Sequence, residues 1–142
     1  MSMSRKGFHQ LPHMADIYIE AYGSSLEEAF EQAGLALFKT LVLNASEKTV
    51  SVTVEARGQD LMELLYDWLE KLLHKFEIDN IVATEIKVNK IMRNGEYRLE
   101  ATLWGEPYNR EKHQTGTAVK SPTYALMEID TEKNTVRFVL DI

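Results

Sequence analysis

Among residue types that carry chemistry, carboxylates dominate this chain: 22 aspartates and glutamates stand against 4 histidines and 0 cysteines. The lack of cysteine excludes a disulfide framework, a thiolate zinc site and a cysteine nucleophile. The closest histidine pair, His9 and His13, shares a strand face only if the segment stays extended, and Pro12 opposes that. Zinc also needs three or four clustered ligands, so a histidine making one hydrogen bond is the simpler reading. Hard cations such as calcium take several oxygens and need neither histidine nor cysteine. The carboxylates placed to supply them are Asp16, which opens an alternating run, Asp60, which opens a helical one, and Asp141, next to the final Ile142. Val136, Phe138, Leu140 and Ile142 alternate with Arg137, Val139 and Asp141, so a strand carries an α-carboxylate to within one residue of the Asp141 side chain. Two neighbouring anions invite a cation; the competing reading is a solvated pair screened by salt. Asp60 likewise reads equally well as a helix N-cap.

Positioning these groups is the task of a single domain spanning residues 1–142, with no repeats and no linker-like stretch between its 3 prolines and 7 glycines. Ile17 to Tyr22 alternate as a half-buried strand that Gly23 ends. Ser24 and Ser25 precede Glu27 and Glu28 at capping-box spacing, and Leu26, Phe30, Ala33, Leu37 and Leu41 then mark an amphipathic helix. Val50, Val52, Val54 and Ala56 form a second strand before Gly58. Asp60 to Glu63 repeat the capping pattern ahead of the widest apolar stripe, Leu61 to Phe76. Val82 to Ile91 and Tyr97 to Leu103 flank Asn94-Gly95, a strong hairpin signal. A polar loop is expected from Gly105 to Gly116, then strands around 117–129 and 135–142. This order predicts an α+β fold with two helices packed on a largely antiparallel β-sheet, and not a doubly wound nucleotide-binding fold.

Lysine plus arginine (16) against aspartate plus glutamate (22) gives a net charge of −6, so composition argues against a broad basic face for nucleic acid and an RNA-related role would need a partner. No run approaches the roughly 20 apolar residues that cross a bilayer, and the opening residues are too polar for a signal-peptide core. A cytoplasmic location without membrane contact is the expectation, and the sequon Asn44-Ala45-Ser46 would then go unmodified. No Gly-x-Gly-x-x-Gly, phosphate-binding loop, Gly-x-Ser-x-Gly elbow or His-Glu-x-x-His is present, so the sequence offers no support for an enzyme.

Several segments together resemble the archease family. They are His13-Met14-Ala15-Asp16-Ile17, Tyr22-Gly23-Ser24-Ser25-Leu26-Glu27-Glu28-Ala29-Phe30, and Asp60-Leu61-Met62-Glu63-Leu64-Leu65-Tyr66-Asp67-Trp68-Leu69. Gly105-Glu106-Pro107, His113, Val119-Lys120-Ser121-Pro122-Thr123-Tyr124 and Leu140-Asp141-Ile142 continue the similarity in order over almost the full length. The resemblance implies an accessory protein, not itself an enzyme, that activates the GTP-dependent RNA ligase of tRNA splicing. It would promote the ligase's guanylylation, sustain multiple turnovers and widen its nucleotide choice, meeting RNA only through that partner. It also implies a divalent metal site, calcium in the family, at Asp16 and Asp141 with Ile142 as a further ligand and Asp60 as an additional candidate. Lys120 matches a strand lysine expected to face the partner, though a solvated lysine is the simpler reading. Two departures stand out. Met14 replaces a usual threonine without touching the aspartate, and Ala125 replaces a common histidine, whose role His113 is then the candidate to supply towards the partner.

Two rivals remain. A general protein or nucleoprotein chaperone would need a large exposed apolar patch, whereas the apolar residues are mostly consumed by the two helix stripes and the strands. A metal-dependent hydrolase would need a general base beside the carboxylates, and none presents itself.

Overall fold

The computed structural model describes residues 5–12 and 16–142. Its elements are β1 (Gly7–Leu11), β2 (Ile17–Tyr22), α1 (Leu26–Leu41), β3 (Val50–Gly58), α2 (Leu61–Glu77), β4 (Ile81–Asn94), β5 (Glu96–Pro107), β6 (Ser121–Asp130) and β7 (Thr135–Asp141). The α+β class and the antiparallel pairing follow the sequence pattern, but the strands divide into two sheets where one was expected. One sheet runs β1-β2-β7-β6 and the other β3-β5-β4. The helices join them: α1 packs on β2 and β4, and α2 packs on β6 and β3.

That placement explains the breadth of burial on α1, where ten residues including Glu31, Gln32 and Gly34 are covered. A helix with a sheet on each side has no wet face along much of its length. The two helices approach closely at Gly34, where a Cβ would press on Leu72, Ile86 and Trp68. There the buried Trp68 indole donates from Nε1 to the Phe30 carbonyl at 2.8 Å, satisfying its one polar atom. A β-bulge between Val88 and Lys90 frees the Val88 amide from the ladder. The buried Glu31 carboxylate accepts it at 2.9 Å.

Both caps form as their spacing predicts. Ser25 accepts from the Glu28 amide at 3.1 Å, and Asp60 accepts from the Glu63 amide at 2.8 Å. In the β1-β2-β7-β6 sheet, Ile17, Ile19 and Ala21 pair with Leu140, Phe138 and Val136 on the inner face. The outer face carries a charged row across all four strands, His9, Glu20, Arg137 and Glu128. His9 Nε2 lies 3.1 Å from Glu20, and Arg137 reaches Glu20 at 2.7 Å and Glu128 at 3.5 Å. The His9 and His13 pairing cannot be followed, since His13 and Met14 lie outside the described residues, but His9 itself is engaged with Glu20.

Candidate metal and partner edge

Antiparallel register fixes which side chains meet at the end of the four-stranded sheet. Ile17 pairs with Leu140 as the last rung of the β2–β7 ladder, so Asp16, in the bend just before β2, and Asp141, just after Leu140, stand at the same end of that ladder. Asp141 in turn pairs with Ser121 on β6, and the Lys120 amide donates to the Asp141 carbonyl at 2.7 Å. Asp16, Asp141 and Lys120, 125 positions apart at the extremes of the chain, are therefore brought to one sheet end. Both aspartates are half-buried. Among the described residues neither carboxylate takes part in a hydrogen bond or ion pair, and the exposed Lys120 ammonium has no carboxylate partner. Two partly desolvated carboxylates at one ladder end, without partners among the described residues, are the donor chemistry a hard divalent cation selects, which fits the calcium expectation. Two aspartates leave most of calcium's six to eight positions to other oxygens.

The remaining sequence candidates fall elsewhere. Ile142 is exposed beside Asp141. Asp60 is occupied as the α2 cap, and no group of three or more metal-ligating side chains forms among the described residues. The expectation that His113 faces a partner is corrected by its burial: it is 5% exposed. Its Nδ1 accepts the Asn109 amide at 2.9 Å, so the neutral ring carries its proton on Nε2, which meets Glu106 at 2.9 Å. A buried imidazole with both nitrogens engaged cannot stand in for the histidine absent at Ala125.

Glu106 is the functional-looking group that the sequence did not single out as such. It is 2% exposed, and it accepts from Lys112 at 2.7 Å and from the Ser46 and Glu47 amides at 3.0 and 2.8 Å. Burial alone would raise its pKa, but these donors together with His113 outweigh it and hold the carboxyl down at about 2. The expected loop from Gly105 starts later than predicted, because β5 runs on to Pro107. It is a strap: the Gly116 and Thr117 amides cap the Leu41 and Thr40 carbonyls at the end of α1. It then delivers the chain to Lys120. No spacing rule links Glu106 with the amides of residues some sixty positions earlier, so only the order of the resembling motifs hinted at it.

The fold and edge define a class: a small two-sheet α+β domain whose outward chemistry is an acidic sheet end beside an exposed lysine. Comparisons narrow it. The family model described as "Archease protein family (MTH1598/TM1083)" matches residues 8–142, and the chain belongs to this family. "Protein archease" of Pyrococcus furiosus is 42% identical over 119 residues, 83% of this chain and 84% of that protein. Its namesake in Sulfolobus acidocaldarius is 42% identical over 138 residues, covering 95% and 98%, and that of Danio rerio is 37% identical over 140 residues, covering 96% and 86%. The solution structure of Methanobacterium thermoautotrophicum protein 1598 superposes with a TM-score of 0.74 at 33% identity, over 96% of this chain and 99% of that one. The crystal structure of an archease, "possible chaperone", from Thermotoga maritima superposes at a TM-score of 0.53 and 20% identity, covering 94% of each, and shows the shared fold.

Proposed function

We propose that the protein is an accessory activator of the GTP-dependent RNA ligase of tRNA splicing, acting on the protein and meeting RNA only through it. The observation that carries this reading, given the family, is that Asp16, Asp141 and Lys120 share one end of the four-stranded sheet. There Asp16, Asp141 and a terminal oxygen of Ile142 would hold a divalent cation, most simply calcium, with the open positions left to water or the partner. The bound cation would supply positive charge at an otherwise anionic edge. The chain's own contribution is positional: the pairing of β2 with β7 brings the two carboxylates to one sheet end, and the Lys120 amide pins the Asp141 backbone. An activator of this kind works only by binding the guanylylation-competent ligase more tightly than the resting one, since equal affinity shifts nothing. The chaperone reading is weaker because the exposed apolar residues are few and scattered, apart from one compact cluster on α2 and β6.

The deciding experiment is guanylylation of the purified cognate ligase with substoichiometric amounts of this protein, in calcium and in EDTA. Stimulation of many ligase molecules by each molecule of protein is expected, lost with Asp141→Ala or Asp16→Ala in variants whose thermal unfolding is intact. Absence of stimulation by well-folded protein sinks the reading.

A further inference from the structure

Three large apolar side chains stand in solvent where α2 meets β6. Met62 is 38%, Tyr124 50% and Leu126 52% exposed. Tyr124 stacks on Tyr66 of α2, ring centroids 4.5 Å apart and planes within 12°, and Met62 lies one turn before Tyr66 on the same helix face. Leu126 has φ +56. Left-handed backbone disfavours any residue with a Cβ, and the other positive-φ positions of the described chain are held by asparagine and glycine, at Asn80, Gly95 and Asn134. A leucine there keeps half its surface in solvent despite the cost of that backbone, and an irregularity in the β6–β7 register between Thr123 and Glu128 carries it. The cluster is bordered by acid. Asp60 and Glu63 accept only backbone amides and have no cationic partner among the described residues. Partial desolvation and the negative charges of Glu63, Asp60 and Asp67 hold the Tyr124 hydroxyl above its ordinary range.

We propose that Tyr124 and Leu126 on β6, with Met62 and Glu63 on α2, form a docking surface for a protein face carrying lysines or arginines around an apolar anchor. This rests on the activator reading, the partner being the ligase. The surface lies on the strand that begins beside Lys120, so it would hold the partner while the acidic sheet end acts. Aromatic anchors supply most of the affinity in such contacts, and the uncompensated carboxylates set orientation and salt dependence.

The test is a binding titration of the full chain against the purified ligase at low and moderate salt, with saturating guanylylation as a second readout. Leu126→Asn, which suits left-handed backbone, is expected to keep or raise the unfolding temperature and weaken binding about tenfold. Maximal guanylylation at saturation should remain near wild type. Glu63→Gln, which preserves the capping geometry, should weaken binding less and flatten its salt dependence. Ile78→Asn, at a 75% exposed position on the far end of α2, should change nothing. Unchanged affinity and salt slope in Leu126→Asn and Glu63→Gln overturn the docking surface alone. A wild-type protein that neither binds nor stimulates the ligase overturns the activator reading, and the surface's assignment with it.

Discussion

Glu106 and Glu31 are both buried carboxylates, yet their titrations act on stability with opposite sign. Glu106 is held at about 2 against an ordinary 4.5. A depressed carboxylate contributes stability above its unfolded pKa and loses it as pH falls through the folded value, so unfolding free energy should drop between about pH 4.5 and 2. The full linkage is about 3 kcal/mol, which screening around the half-exposed Lys112 trims to on the order of 1–2 kcal/mol. Glu106→Ala would orphan two backbone amides and the His113 ring, and should cost about 2–4 kcal/mol by urea denaturation at neutral pH. Burial, only partly offset by the Val88 amide, raises Glu31 above 4.5. The fold therefore disfavours its charged form relative to the unfolded chain. Glu31→Gln keeps an acceptor for Val88 and should stabilise the protein by under about 1 kcal/mol at pH 7. That gain should shrink as pH falls below the ordinary carboxylate value and the group takes up its proton in the folded and unfolded chain alike. A destabilised Glu31→Gln at pH 7 would contradict this account.

At the scale of elements, the α2 cap separates two roles proposed for one residue. Asp60→Ala should cost about 1 kcal/mol in thermal unfolding, and Asp60→Asn only a few tenths, because asparagine caps nearly as well. If Asp60→Asn also left calcium affinity untouched, capping would be its whole role. Gly58 gives a sharper effect: a Cβ there meets the Glu63 and Leu64 backbone. Gly58→Ala should destabilise by about 1–3 kcal/mol through forced separation of β3 from α2. Helices, caps and the Asn94-Gly95 hairpin were legible because each is set by residues within a few positions of one another. The strand Gly7–Leu11 was not, because its exposed middle, Phe8-His9-Gln10, shows no alternation. Nor was the division into two sheets, since the same alternating strands would pair in one sheet if the helices did not lie between them. Asp16 and Asp141 were named from their types and positions, while their unpaired state and Lys120's place beside them emerged only with the register of β2, β7 and β6. His113 failed as a partner-facing residue because a histidine in a polar stretch looks exposed, and its burial depends on the distant Ser46 and Glu47 amides that anchor Glu106.

For the whole molecule, cation binding should appear as stability. A ligand at a hundred times its dissociation constant adds about 2.7 kcal/mol when it binds only the folded state. Calcium should thus raise the unfolding temperature and EDTA reverse it, with both responses abolished in Asp16→Asn and Asp141→Asn, as differential scanning fluorimetry would read. A temperature that ignores calcium while the protein still stimulates the ligase would remove the metal from the proposal and leave the lysine and the carboxylates acting directly.

The position of β7 bears on how the chain reaches this state. It lies between β2 and β6, so β2 waits for a partner far along the sequence: Glu20 and Arg137, joined at 2.7 Å, are 117 residues apart. Closing so long a loop is entropically slow and comes after local structure has formed. The helices and the β4–β5 and β6–β7 hairpins rest on residues near one another in the chain, whereas the β1-β2-β7-β6 sheet completes only when β7 pairs with β2. That same pairing brings Asp16 and Asp141 to one sheet end. The acidic edge thus exists only where β2 and β7 are paired, and a molecule lacking that pairing would present two open strand edges and no site, making the edge a chemical signature of a completed sheet.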